Sequence, residues 1–401
     1  MFFYFAVFLV IAALSILSLR SSSKRLVFAM FIAAFLILIA GLKQPGVDFD
    51  STNYVYFFNS IGEPLDYFTH FSDYYFNEIA YYLLPSILNT IFHAGPVWFF
   101  LIIAAIAIPL KFAAIWQLTE FQLLSVLVYF CHFFILHDMT QIRQGVASGI
   151  LLFSLPEIEK KNLLRFSLLL CFGTLFHYVT IIFFPFFFLN TRKLNKLIFF
   201  AILIVPQILF FLKVNIISIL VFLKLGILSE KLSTYNELVQ AGIFSEINVY
   251  NAVVIIQLLF CSFLIWKSDF LQTKNKYAFL LIKIYTIGIG CWLLFYSIPV
   301  IAFRTSSFLE IVEIILVPLI IYYIEEKAIA IAIVILFGFE LLYIDVIHSA
   351  LLNPYSTIKL FSYSERHFHM PIDKTSNKEG IAYINQKERH TILLDRKIIY
   401  C

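Results

Sequence analysis

Charge is scarce in this chain. Only 13% of its 401 residues are Asp, Glu, Lys or Arg, against about 25% in a soluble domain. So few charges cannot clothe a water-soluble surface of this size, which excludes a soluble globular protein. Disorder is excluded by the opposite excess, because 61% of the residues are hydrophobic and 18% aromatic. Cysteine is sparse as well. Of the five, Cys131, Cys171, Cys261 and Cys291 lie in apolar runs and Cys401 is terminal, and no pair has a metal or redox spacing. Glycine-rich phosphate loops of the Walker type are absent, as are H-E-x-x-H, G-x-S-x-G and zinc patterns. Metal, nucleotide and cofactor chemistry therefore has no sequence signature. Net charge is +4. In a chain this apolar it reflects basic loops flanking membrane helices and does not call for nucleic acid.

What is present is a series of apolar runs near the length of about 20 residues needed to cross a bilayer. They cover 2–19, 26–42, 97–116, 121–136, 143–155, 197–224, 249–266, 277–299, 307–324 and 328–346. Two further segments are open: 76–93 is long enough to span but could lie in the interface or dip in and return, and 163–190 could be one long span or a re-entrant pair. The first carries Asn77, Glu78 and Pro85, and the second could form two half-helices meeting near His177. The expected fold is all-α and polytopic, with about 10–12 transmembrane helices. A transmembrane domain over 1–350 bears an outer loop at 43–75, and 351–401 forms a polar C-terminal tail. The first segment lacks the basic start and small-residue cleavage site of a signal peptide.

Lys and Arg in short loops set orientation. The basic clusters are Arg20/Lys24/Arg25, Lys160/Lys161/Arg165, Arg192/Lys193/Lys196 and Lys267/Lys274/Lys276. All fall on the cytoplasmic side if 76–93 does not cross and 163–190 enters and returns. The N-terminus, loop 43–75, the 137–143 turn, His177, loop 225–248, Arg304 and the tail from about 347 are then outside. The tail's own basic character favours the other side.

Four features on that outer side could carry chemistry. Loop 43–75 holds one Lys, Lys43, among five acids, Asp48, Asp50, Glu63, Asp66 and Asp73, interleaved with Phe and Tyr. Rings stack on sugar faces and carboxylates accept from hydroxyls, so this composition suits a glycan, although an interfacial aromatic belt has the same make-up. Asp50 and Tyr54 sit four apart, on one face of a helix that Phe57 and Phe58 continue. The run His137-Asp138-Met139-Thr140-Gln141-Ile142-Arg143-Gln144-Gly145 interrupts two apolar stretches. A charge near bilayer depth marks a functional site by default. The fork of Arg143 suits phosphate or pyrophosphate, while snorkelling or pairing with Asp138 is the structural alternative. His177, in Phe-His-Tyr, could act as a general base or could serve as a structural imidazole bonded to a carbonyl. Arg304 would complete an anion clamp with Arg143 or anchor to headgroups. Glu340 and Asp345 lie in or near the membrane and could pair with an Arg. His367 and His369 read as solvated.

The ordered set G-x-D-x-D-x-x-x-Y, N-E-x-x-Y, D-x-x-Q-I-R-Q-G, F-H-Y and F-R-x-x-x-[FY] across residues 20–325 resembles the EpsG family of bacterial exopolysaccharide proteins. That family is related in function to Wzy-type O-antigen polymerases. Q-I-R-Q-G together with F-H is the most specific part. The resemblance implies a metal-independent polymerase of the bacterial cytoplasmic membrane. It would join oligosaccharide repeat units carried on undecaprenyl pyrophosphate, outside that membrane, with a chain-length regulator and a flippase as partners. Carried onto this sequence, the implied catalytic positions are Arg143, His177, Asp48 and Asp50. The implied substrate-binding positions are Arg304, Gln141, Gln144, Tyr54, Glu78 and Lys43. Many members have Arg ahead of the G-x-D segment, whereas the nearest base here is Lys43, a point charge and not a fork. Two other classes remain open. An envelope glycan ligase or acyltransferase would use the same Arg and His with another donor. A flippase or transporter predicts internal repeats and paired broken helices, and the sequence shows no such repeat.

Overall fold

The computed structural model describes residues 2–20, 22–69, 78–214, 248–348 and 352–357. The described chain is almost wholly helical. Extended pairing is confined to isolated bridges from Lys43 to Thr357 and from Asp48 to Leu352. Most helices are apolar on every face, as expected where lipid replaces water outside and packing replaces it inside.

The chain opens with α1 (Phe2–Arg20) and α2 (Ser22–Gly41). The outer loop follows, with the short α3 (Ser51–Ser60) and α4 (Ile79–Ile91). Next come α5 (Pro96–Leu118), α6 (Gln122–Thr140) and α7 (Ile142–Glu159). The helix α8 (Leu163–Phe176) leads into a 3-10 segment, Tyr178–Phe188. Then α9 (Lys196–Phe211), α10 (Ala252–Trp266), α11 (Ser268–Lys274) and α12 (Ala278–Leu294) follow. The last are α13 (Pro299–Tyr322) and α14 (Lys327–Ile347).

Six of these pass for spans on length and apolarity alone: α1, α2, α5, α6, α13 and α14. Counting α10 and α11, bent by 74° at Lys267, as one span makes seven. The 10–12 full-length spans expected from the sequence are therefore not all present as long helices. Other apolar helices, α9 and α12 among them, are shorter. Of the run expected at 197–224, Lys196–Phe211 is helical and the part from 215 onward lies outside the described residues. Residues 215–247, and with them most of loop 225–248, lie outside the described residues. So do Asn77 and the tail beyond 357.

Contacts at the helix ends fix which ends share a face. A Cβ on Gly41 would lie 2.3 Å from the Leu101 side chain, so the end of α2 touches the start of α5. Residues 43–95 thus leave and re-enter on one face, and α4 between them does not cross. It spans only about 20 Å and is tied to the outer loop. Ser86 donates to the Gly62 carbonyl at 2.5 Å and Asn89 to that of Phe58 at 3.2 Å. Segment 163–188 is a hairpin that enters and returns. Lys161 Nζ donates to the carbonyls of Phe187 (3.4 Å) and Leu189 (3.1 Å). Along its length, Phe166 packs against Phe183 and Phe187. His177 is the tip.

The basic clusters gather on the opposite face. There Arg25 reaches Gln122 (2.8 Å), Lys196 pairs with Asp269 (2.6 Å), and Tyr323 donates to the Lys267 carbonyl (2.8 Å). Residues 352–357 lie on the outer loop, where Asn353 donates to Val47 O and Gln44 to Ser356 O, each at 2.8 Å. The chain therefore returns to the face of Lys43 after α14.

Candidate functional site

The break between α6 and α7 builds the centre. From Phe130 to Thr140 the helix widens to a π-helix, a distortion that favours functional sites. Gln141 N–H donates back to Leu136 O at 2.7 Å, and α7 then restarts at Ile142. Gly145 permits the tight return, since a Cβ there would lie 2.5 Å from the His137 carbonyl. Beneath this break, Lys111 of α5 is wholly buried. Its ammonium meets Asp138 Oδ1 (2.8 Å) and the Gly145 carbonyl (2.6 Å), and Tyr129 donates to Asp138 Oδ2 (2.6 Å). Asp138 therefore pairs with Lys111, and Arg143 is free to face elsewhere.

Arg143 turns to Glu78. Its Nη1 donates to Glu78 Oε2 at 2.7 Å, and His177 Nδ1–H donates to Oε1 of the same carboxylate at 2.8 Å. The Tyr178 amide adds a 3.4 Å contact to Oε1. Three separate elements meet at one carboxylate: the lead-in to α4, the start of α7 and the tip of the re-entrant hairpin. Glu78 is 3% exposed, whereas the Arg143 side chain keeps 27% of its surface open. Glu78 lies on the outer face, ahead of α4 and outside the crossing segments. Burial pushes its carboxyl up, but the His177 hydrogen bond and the Arg143 charge outweigh burial and hold it down at about 2. The carboxylate bond at Nδ1 leaves His177 Nε2 with no hydrogen bond to any described residue.

Aromatic rings brace the arginine. The guanidinium lies 4.4 Å from the centroid of Tyr81, whose other face stacks on Phe57 at 4.5 Å and 6°. Tyr54 is buried and meets Tyr81 edge-on at 6.0 Å. Tyr81 is thus held between Phe57 and Arg143, with neither face open to a sugar.

The remaining residues picked out from sequence divide into two groups. Gln144 is buried and ties α7 to α13, donating to Ser307 Oγ (2.9 Å) and the Arg304 carbonyl (3.3 Å), with His137 Nε2 at 3.3 Å. This brings Arg304 to the same centre, and its charge is felt at His177. The half-buried Arg304 side chain makes no hydrogen bond or ion pair with any described residue. Gln141 sits at the helix break with its Oε1 buried and without a hydrogen bond.

Lys43 and Asp48 form a second buried unit. They pair at 2.8 Å with both side chains fully buried, and Lys43 also donates to Met139 O beneath the Phe100 ring. Asp48 Oδ1 accepts from the amides of Ser51 (2.9 Å) and Asp50 (3.2 Å), which starts α3. Lys43 as placed meets a carboxylate and a carbonyl, and Asp48 joins it to the loop that starts α3. Asp50 is half-buried at the head of α3, and its charge reaches Tyr54 and Tyr81.

Sequence pattern did not point to Lys111 or Tyr129. The available signal was a lone cation inside the apolar run of α5, costly unless paired. Glu310 and Glu313, further along α13 from Arg304, turn into the core. They accept from Gln257 (3.3 and 3.2 Å), and Glu313 also accepts from Tyr285 (3.1 Å). Among the described residues, no cluster of His, Cys, Asp and Glu has metal-binding geometry.

Fold and centre together define a multi-pass helical membrane protein with a charged, partly enclosed site on the face opposite its basic loops. The EpsG family profile matches residues 26–363. The chain belongs to the EpsG family. It is also similar to the amylovoran biosynthesis protein AmsC of Erwinia amylovora, 27% identical over 168 residues, which is 41% of this chain and 44% of that protein. The match thus spans less than half the length of that relative. No solved structure matches the chain.

Proposed function

We propose that this protein is an exopolysaccharide repeat-unit polymerase. It would join oligosaccharides carried on undecaprenyl pyrophosphate at the outer face of a bacterial cytoplasmic membrane. Family membership and the likeness to AmsC support the pathway. The observation that carries the chemistry is the Glu78 carboxylate bridging Arg143 and His177 on the outer-loop face, with Arg304 brought alongside by Gln144.

In this reading an acceptor-sugar hydroxyl attacks the anomeric carbon of the donor glycan, and the bond from that carbon to the pyrophosphate oxygen breaks. Charge develops on the departing pyrophosphate, where fixed guanidinium groups are most effective. Arg304 brings a charge with no described partner, and Arg143 brings its remaining donors. His177 Nε2 takes the hydroxyl proton while Glu78 holds Nδ1–H and so fixes the tautomer. Pyrophosphate is a good leaving group, and these residues need no metal in the step.

The test is the glycan ladder of cells carrying Arg143→Ala or His177→Ala, with membrane levels of the protein checked. Expected is loss of long polymer with single repeats retained. Wild-type chain lengths in both variants would refute the assignment. Loss of every glycan form, single repeats included, would point to an earlier step instead.

A further inference from the structure

Glu340 has no part in the chemistry above. It lies in α14, which buries Ala330, Val334, Gly338, Leu341 and Leu342 against the rest of the bundle. The opposite side of the same helix exposes Ile329, Ile333, Leu336, Glu340, Tyr343 and Ile347. These positions alternate spacings of four and three, the repeat by which one helix lies along another. Apolar exposure alone is ordinary lipid contact.

Glu340 is different. It is exposed, and its carboxylate makes no hydrogen bond or ion pair with any described residue. Between Lys327, at the basic face, and Glu340 the helix rises about 20 Å, which leaves roughly 10 Å to the far side of a 30 Å hydrocarbon layer. A Glu side chain is too short to cover that distance. A carboxylate facing lipid at this depth is costly unless something outside the chain pairs with it.

We propose that this stripe of α14 is the docking face for a transmembrane helix of a partner protein that carries Lys or Arg at the depth of Glu340. Charge complementarity selects this occupant. A wholly apolar helix would leave the carboxylate unpaired and more deeply buried. A second copy of this chain would bring a like carboxylate to the same depth. Glu340 itself lines the groove between α10 and α14, together with Val253, Ile256 and Gln257 of α10 and Phe337, Leu341 and Ile344 of α14, and this groove offers a flank for the partner's side chains.

The test uses the full chain in lipid vesicles and a labelled synthetic Leu-rich transmembrane helix with one Lys at matching depth, compared with the same helix carrying Leu there. Energy transfer between protein and peptide reads association. The Lys helix is expected to bind about tenfold more tightly than the Leu helix. Glu340→Leu removes that preference and Glu340→Gln retains part of it. Because position 340 faces lipid, neither variant disturbs the core, and membrane levels check this. Equal binding of the two helices, or a preference that survives Glu340→Leu, overturns the proposal. So does a dimer of the full chain that depends on Glu340, which would assign the stripe to a second copy.

Discussion

Replacing Glu78 by Gln keeps the volume of the side chain and removes its charge. The native carboxylate accepts at both oxygens, from Arg143 at 2.7 Å and His177 at 2.8 Å. Gln can accept at one only. Its amide NH2 then confronts the other donor, so either the arginine or the histidine must move. The carboxyl is held down from 4.5 to about 2 by its partners against its burial. That difference corresponds to about 3 kcal/mol of coupling, in line with the ~3–5 kcal/mol lost when one member of a buried pair is removed. Partial exposure of Arg143 lets water recover some of it, so Glu78→Gln is expected to destabilise the fold by about 2–3 kcal/mol. A displaced imidazole should slow the reaction roughly 100-fold. Thermal unfolding of the purified protein reads the first quantity, and the glycan ladder at matched membrane levels reads the second. Unchanged unfolding and an unchanged ladder would refute the bridging role. The sign with pH follows from the depressed carboxyl. Its stabilisation is complete above about 4.5 and is lost as pH falls towards 2. Between pH 5 and 8 the Glu78 charge is constant, and any change of rate in that interval arises from other groups.

Other outcomes follow from the same packing. Lys111→Met leaves Asp138 buried without its cation and should cost about 3–5 kcal/mol on thermal unfolding. The double variant with Asp138→Leu should recover part of that loss, and failure to recover any would mean that the pair is not the source. Gly145→Ala places a methyl 2.5 Å from the His137 carbonyl and should displace the head of α7, shortening polymer while the protein still reaches the membrane. Normal polymer in Gly145→Ala would show that the break can relax without moving Arg143.

Scarcity of charge was enough to read the membrane class. The class depends on local composition, which a linear sequence displays in full. The basic clusters all fall on one side only if 76–93 does not cross and 163–190 turns back, and composition alone left both segments open. Within the centre, Arg143, His177 and Glu78 stood out as polar residues in apolar surroundings. Their convergence on one carboxylate did not, because Glu78 meets partners 65 and 99 positions away. Partner choice is tertiary, and the nearer candidate for Arg143, Asp138, proved to be occupied by Lys111. Asp48 shows the same limit from the other side. The family resemblance marked it as a site residue, and its buried pairing with Lys43 and its bonds to the amides that start α3 are contacts no motif displays. Helix lengths were the least legible quantity, since an apolar run does not reveal where α9 or α12 will break.

The hairpin that ends in His177 has both its roots on the basic face, held there by Lys161. It is therefore neutral in parity. Excising residues 163–188 would remove the imidazole yet leave every later helix pointing the same way. Deleting any single crossing helix would invert all that follows. A sidedness reporter fused after α14 should tell these two deletions apart. The hairpin is thus a large apolar piece of the described chain that can be lengthened, replaced or lost without redrawing the rest of the map.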